Sequence, residues 1–185
     1  MQIIKRQSDN VVIFAGNDLA LDESGCRGAG WQFRNINPSE LTLETVDSIP
    51  VQFVGGGWSY ADGVWTGNAI ADQVILPAKR AEKIARFTAQ AAATNSADID
   101  YLDYTWRADL ASQALLAQVL AIGSVPDDMY WRDSSGTPRA MTYANLQGLG
   151  AAILARGLAA DNNLMIKTVA VNAAADEEGI DAVVW

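Results

Sequence analysis

The chain has 185 residues, half of them hydrophobic and 19% charged, with 22 acidic against 13 basic side chains and a net charge of −9. That profile belongs to a globular protein, and its negative field repels phosphate, which excludes nucleic acid as a partner. There is no histidine and one cysteine, Cys26, so Ser-His-Asp and Cys-His arrangements, histidine or thiolate zinc sites and an internal disulfide all fall away.

Only chemistry by carboxylate, lysine, tyrosine or the substrate itself survives, and the expectation is a protein that is not an enzyme and holds no cofactor and no metal. No run of about eighteen apolar residues exists to insert into a membrane. The N-terminal stretch MQIIKRQSDN lacks the apolar segment of a signal peptide, so the chain is expected to be made in a cytoplasm.

In chain order, QIIKRQSDNVVIFAG reads as two short strands around the polar turn Ser8-Asp9-Asn10. LTLETV, residues 41–46, alternates apolar and polar residues as a strand with one buried face does. VGGGWSYADGVWTG, residues 54–67, then holds Trp58, Tyr60 and Trp65 in two alternating runs. The link Ala61-Asp62-Gly63 supplies the positive φ of a tight hairpin turn. The three glycines 55–57 mark a place where backbone bends or approaches something closely.

Alternation puts Trp58 and Tyr60 on one face with Ser59 opposite, and sets Trp65 against Val64 and Thr66 on the return strand. Such rings either pair across strands to stabilise a small sheet or form a platform for a sugar. A platform needs polar groups beside the rings, and the nearby candidates are few: Ser59, Asp62, Thr66 and Asn68. Trp58, Tyr60 and Trp65 are therefore read as packing surface, within the domain or against a neighbouring subunit. A host-surface glycan or receptor is the alternative contact.

At Pro77 the period changes from two to about 3.6, dividing the chain into a β-rich part, 1–76, and a mainly helical part, 77–185. Pro77 suits the first turn of a helix, and AKRAEKIARFTAQAAA follows with Ala81, Ile84, Ala85, Phe87 and Ala91 on one face. TNSADID reads as a polar loop and YLDYTW, 101–106, as a short strand. ADLASQALLAQVLAIG reads as a helix that buries Leu110, Leu115, Val119 and Ile122 and stops at Gly123. MYWRDSSGTPRAM is a hairpin around Ser134-Ser135-Gly136.

Thr142 then caps a long helix in which Leu146, Leu149, Ile153, Ala160 and Leu164 recur at threes and fours. Unbroken to Ala174, it would run for about 32 residues and about 48 Å. Gly148, Gly150, Gly157 and Asp161-Asn162-Asn163 are the places where it could break. GIDAVVW at the end returns to a strand-like pattern, and Trp106 and Trp131 are expected in the core. The fold class is α+β: a small β-rich N-terminal domain, then a mainly α-helical C-terminal domain containing a short β-hairpin.

The polar clusters offer little chemistry. Asn95, Asp98, Asp100 and Asp103 invite a calcium reading, but counted from Asp98 the fifth and sixth positions are Leu102 and Asp103, where an EF-hand loop needs an oxygen ligand and a glycine. The acid pairs Asp127-Asp128 and Glu177-Glu178 read as turn and helix-start charge. Neither G-x-G-x-x-G nor a Walker motif is present.

From Tyr101 to Val184 the chain carries YTWRADLASQALLAQVLA, MYWRDSSGTPRAMTYANLQGLGAAILAR and NNLMIKTVAV. In outline this is an aromatic strand, a helix, W-R-D-x-x-G on a hairpin, M-T opening a helix with leucines at spacing three, and a Lys-bearing terminal helix. The order resembles an uncharacterised domain near the C-termini of bacteriophage tail and tail-fibre proteins. DNVVIFAGNDLALDESGCRGAGW and FVGGGWSYADGVWTG are similar to the front portions of such proteins, so the resemblance covers most of the chain. That family has no assigned catalytic residues, and none is carried over.

The resemblance implies a structural component of the virion tail, in the fibre or baseplate region, made in the host bacterial cytoplasm. Its implied partners are other phage tail proteins and further copies of itself, with a trimer favoured, and its implied role includes host attachment. Tail-fibre assembly chaperones share the layout of a small β front followed by helices. A chaperone absent from the mature virion is the alternative.

Overall fold

A computed structural model describes residues 1–33 and 36–185. The fold is α+β, and the chain divides into two compact units, Met1–Lys79 and Arg80–Trp185.

The first unit opens with β1 (Gln2–Arg6) and β2 (Val11–Gly16), joined through Asn10 at φ 56°. A three-stranded antiparallel meander follows, β3 (Ala20–Asp22), β4 (Gly25–Gly28) and β5 (Trp31–Phe33). After a 3₁₀ turn at Pro38–Glu40 come β6 (Leu41–Thr45), β7 (Trp58–Ala61) and β8 (Val64–Gly67). The main sheet has the order β6-β1-β2-β7-β8 with every neighbour antiparallel. The meander was not expected, because its strands are too short for alternation to register.

Ile3 and Ile4 are adjacent on β1, yet both are fully buried. Successive strand residues point to opposite faces, so this sheet is covered on both. Ile4 packs with Leu19, Cys26 and Leu41, and Ile3 packs with Val12 and Val46. Burial also pushes the Cys26 thiol above its ordinary pKa, as expected of an inert core residue.

Opposite β1 the register slips: Ile4 faces Phe14 while Lys5 faces Val12, which leaves Ile13 as a bulge. The glycine run answers that bulge. A Cβ on Gly55 would lie 2.5 Å from the Ile13 carbonyl oxygen, and the Gly56 N–H donates to Val12 O at 2.8 Å. Gly55 and Gly57 serve close backbone approach, and Gly56 serves a bend at φ 81°.

α1 (Ala69–Ser96) starts well before Pro77, which lies inside it. The Asn68 side chain accepts from the Ile70 N–H at 2.9 Å, an N-cap contact that moves the start upstream. In the second unit the inward positions of α1 are Ile84, Phe87 and Ala91, whereas Ala81 and Ala85 are exposed. An Ala-rich helix has too little polarity contrast to mark its own buried face.

YLDYTW is not one strand but the second half of a hairpin, β9 (Ile99–Tyr101) and β10 (Tyr104–Trp106). Its turn puts Leu102 at φ 49° and Asp103 at φ 62°. Leucine in that left-handed region is uncommon, so the turn carries no sequence mark.

α2 (Leu110–Ile122) is capped by Asp109, which accepts from the Ser112 N–H at 2.8 Å, and it ends on Gly123 at φ 87°. The face expected to be buried is wrong: Leu116 is buried, while Leu110, Leu115 and Ile122 are exposed and Val119 is half-buried. A helix apolar nearly all round leaves its orientation to the neighbours.

β11 (Tyr130–Arg132) and β12 (Pro138–Ala140) form the hairpin read around Ser134-Ser135-Gly136. α3 (Tyr143–Ala173) is 31 residues without a break, opened by a capping box between Thr142 and Asn145. GIDAVVW forms no strand. Asp176 accepts from the Gly179 N–H at 2.8 Å and starts α4 (Glu177–Ala182), a single short helix.

The core of the second unit gathers Trp106, Leu116, Met141, Leu146 and Leu149, with Trp131 half-buried against it. Trp106 is fully buried and donates its Nε1–H to Tyr101 O at 2.7 Å. α3 also closes the end of α1: the Arg156 guanidinium donates to the carbonyls of Asn95 at 3.0 Å, Ala97 at 2.7 Å and Asp98 at 3.1 Å. Those groups lie at and just past the negative end of α1, where a cation is favoured.

Candidate interaction surface

Two residues close the aromatic hairpin, one fewer than the link read from sequence. Ala61 pairs with Val64, and Asp62 and Gly63 take φ 52° and 82°. Positive φ at both central positions is the type I′ turn that matches strand twist and locks the register.

That register puts Tyr60 directly opposite Trp65, with ring centroids 4.9 Å apart. Trp58 approaches Trp65 edge-on at 6.4 Å, and Phe53 does so at 6.2 Å. Trp65 is thus the hub, touching three rings, and its Nε1–H donates to Ser48 O at 3.2 Å. Tyr60 and Trp65 also pack against Ile3, Val12 and Val46 on one face of the sheet.

The polar groups nearby are held in place. Lys5 Nζ donates to Tyr60 O at 3.0 Å, pairs with Glu44 at 2.7 Å and sits 5.6 Å from the Tyr60 ring centroid. Ser59 Oγ donates to Thr66 O at 3.4 Å. Trp58 Nε1 is buried and has no acceptor among the described residues. Trp58, Tyr60 and Trp65 are each half-buried, with ring faces turned on one another and on the core.

A second ring cluster escaped sequence reading. Phe14 lies 4.7 Å from Trp31 and 5.2 Å from Phe33, and Phe33 is exposed. The signal was the W-x-F spacing at 31–33, which needed the meander to be recognised first.

In the second unit the W-R-D-x-x-G motif is an internally hydrogen-bonded loop tied also to β10, where the Ser134 N–H donates to Thr105 O at 2.8 Å. Asp133 is nearly fully buried and accepts from Ser135 Oγ at 2.6 Å, Thr137 N at 2.9 Å and Arg139 Nε at 3.0 Å. The Ser135 hydroxyl, Arg139 and the Thr137 N–H, in that order, overcome the opposing effect of burial and hold its pKa at about 2. Arg139 also stacks on Tyr104, 4.2 Å from its centroid. A carboxylate so engaged is ionised at neutral pH and braces the loop.

The remaining acidic candidates do not converge. Asp100 Oδ1 accepts from Thr105 Oγ1 at 2.6 Å, Asp103 occupies a turn, and Asp127 and Asp128 lie in the segment before β11. Glu177 and Glu178 form the first turn of α4. Among the described residues, no three His, Cys, Asp or Glu side chains group as a metal site, and no helix is long and apolar enough to cross a membrane.

What the second unit does display is apolar. An open groove of about 490 Å³ lies between α2 and α3, with Leu116, Leu120, Tyr143, Ile153 and Leu154 in its walls. Another of about 520 Å³ lies between α2 and the β11–β12 hairpin, lined by Leu115, Val119 and Trp131 together with Arg107 and Arg132.

No curated protein and no solved structure matches the chain. Residues 78–184 match the family described as a domain of unknown function, DUF4376, which takes in α2, α3, both small hairpins and α4, so the chain belongs to the DUF4376 family.

Proposed function

We propose that this chain is a structural component of a bacteriophage tail, in the fibre or baseplate region, and that it acts by assembly and docking without catalysis. The observation that carries the reading is α2. Leu110 is 78% exposed and Ile122 74%, on a helix with no charged residue from Leu110 to Ile122. A helix this apolar, with Ser112, Gln113 and Gln118 as its only polar side chains, is ordinarily buried, so one displayed this way is a surface suited to a protein partner.

The polar chemistry supports the same reading, because the buried carboxylate of Asp133 and the guanidinium of Arg156 are engaged in bracing loops and helix ends. The order of motifs that resembles tail and tail-fibre proteins supplies the biological setting. On this reading the partners are other tail proteins and further copies of the chain, as a trimer, within the virion. The half-buried aromatic hairpin contributes its exposed edges to docking, and a host glycan is the competing contact.

Mass spectrometry of purified particles tests this. The chain is expected among the virion proteins in stoichiometric amount. Absence from mature particles, with misfolded fibres when the gene is deleted, would assign it instead to the chaperones.

A further inference from the structure

We propose that a second copy of this chain packs along one exposed face of α3, through Leu154, Leu158, Asn162, Met165 and Val169. This deepens the assembly reading above and rests on it for its biological meaning only. These residues sit opposite the face that buries Leu149, Ala160 and Val171, and all of them are exposed, Leu154 at 62%, Leu158 at 55%, Met165 at 61% and Val169 at 64%.

The face is not built for water. α3 carries only Arg156, Asp161 and Lys167 as charged residues in its 31 positions; none lies on this row, and Asp161 borders it, lining the groove between Leu158 and Leu110. With a chain charge of −9, two copies repel over most of their surface, and an uncharged row is where they can meet.

The spacing suits a copy of itself. From Ala151 through Leu154, Leu158, Asn162, Met165 and Val169 to Ala173 the steps run three, four, four and then three, four, four. That eleven-residue period stays on one side of a nearly straight helix, about 3.67 residues per turn, so identical rows can interdigitate over their whole length with only slight right-handed coiling. Asn162 is the midpoint of the row. It therefore faces its counterpart whether the two helices run parallel or antiparallel, and an amide can both donate to and accept from its twin. A single polar residue in an apolar seam fixes register.

The area is sufficient. A large aliphatic side chain offers on the order of 100 Å² of apolar surface. Leu154, Leu158, Met165, Ile166 and Val169, with Leu110 of α2 across the adjoining groove, are each more than half exposed. They supply roughly 400 Å² per copy, close to the apolar share of a standard interface of about 800 Å² per partner.

Sedimentation equilibrium of the full chain is the test, paired with far-UV circular dichroism. The unaltered chain is expected to be oligomeric. The double change Leu158→Glu and Met165→Glu is expected to give monomers with unchanged helical content, because both side chains point away from the core. Asn162→Cys is expected to form an intermolecular disulfide on mild oxidation, with the unaltered chain, whose lone Cys26 is buried, as the uncrosslinked control. A monomeric unaltered chain, or a double variant that keeps the oligomer, would overturn the inference, as would oligomers of the Asn162→Cys variant that fail to cross-link. Loss of oligomers only when Trp58 and Trp65 are changed would also overturn it while leaving the assembly reading intact. Absence of the chain from particles bears on the tail reading alone.

Discussion

Asp133 and Arg139 meet at 3.0 Å across the β11–β12 hairpin, and the carboxylate side of the pair is nearly fully buried. Because the Ser135 hydroxyl, Arg139 and the Thr137 N–H all favour the ionised form, the folded pKa of about 2 lies below the ordinary unfolded value of about 3.9. The folded state thus binds this proton less tightly than the unfolded state. The stabilisation is complete above about pH 5 and is lost as pH falls through about 2.

Urea midpoints of the helical unit are therefore expected to drop between about pH 5 and pH 2. Asp109, in the same unit, is shifted downward too, chiefly by the Ser112 N–H, and pushes in the same direction; Asp9 and Asp22, shifted downward chiefly by the Arg6 side chain and the Ser24 hydroxyl, act in the first unit. Asp133→Asn should lower the midpoint at neutral pH and flatten its acid dependence. An unchanged slope in that variant would remove Asp133 from the account.

Gly148 of α3 passes beneath Tyr101, where an added Cβ would overlap the phenol hydroxyl. Gly148→Ala is expected to destabilise by about 1–3 kcal/mol, against its favourable helix propensity, because the half-buried Tyr101 ring must be displaced. In a Tyr101→Ala background the same change should cost little, since the obstacle is gone. Equal costs in the two backgrounds, read from denaturant curves, would contradict the contact.

The ring cluster of the first unit makes its two tryptophans unequal. Trp65 meets three rings and donates to Ser48 O, whereas the Trp58 N–H is buried without an acceptor among the described residues. Trp65→Phe should cost about 0.5–1.5 kcal/mol more than Trp58→Phe, since only the former loses a bond that was made. Thermal melts followed by tryptophan fluorescence of each variant decide the order.

Residues with strong local rules were legible in the sequence. Asp62-Gly63, Gly123 and Thr142 each do what their side chains or missing side chains dictate. The spacing of Leu146 and Leu149 found the buried side of α3. Orientation was not legible where apolar residues surround the helix: Leu110, Leu115 and Ile122 recur at helical spacing but face outward, because only the partner at Leu116 settles which side is in. The turn at Leu102-Asp103 was hidden by a leucine in a conformation it seldom adopts, and α4 by three apolar residues that follow it. At the aromatic hairpin the pairing could be read from alternation, while Ile3 and Val12 of the sheet beneath lie too far along the chain for any local pattern to reveal, and Phe53 precedes the glycine run, outside both alternating stretches.

The adjacent burial of Ile3 and Ile4 leaves β1 ambiguous about its own alignment. A strand that presents the same side chain to both covered faces gains little discrimination against sliding by one residue, since each isoleucine would replace the other's neighbour. Alignment must then come from groups that cannot be exchanged. Gln2 accepts from the Leu19 N–H at 2.9 Å, Lys5 reaches Glu44 at 2.7 Å, and the extra residue Ile13 fits only one pairing. The polar ends of this strand and the irregularity of its partner act as its ruler, while its apolar centre supplies adhesion without information.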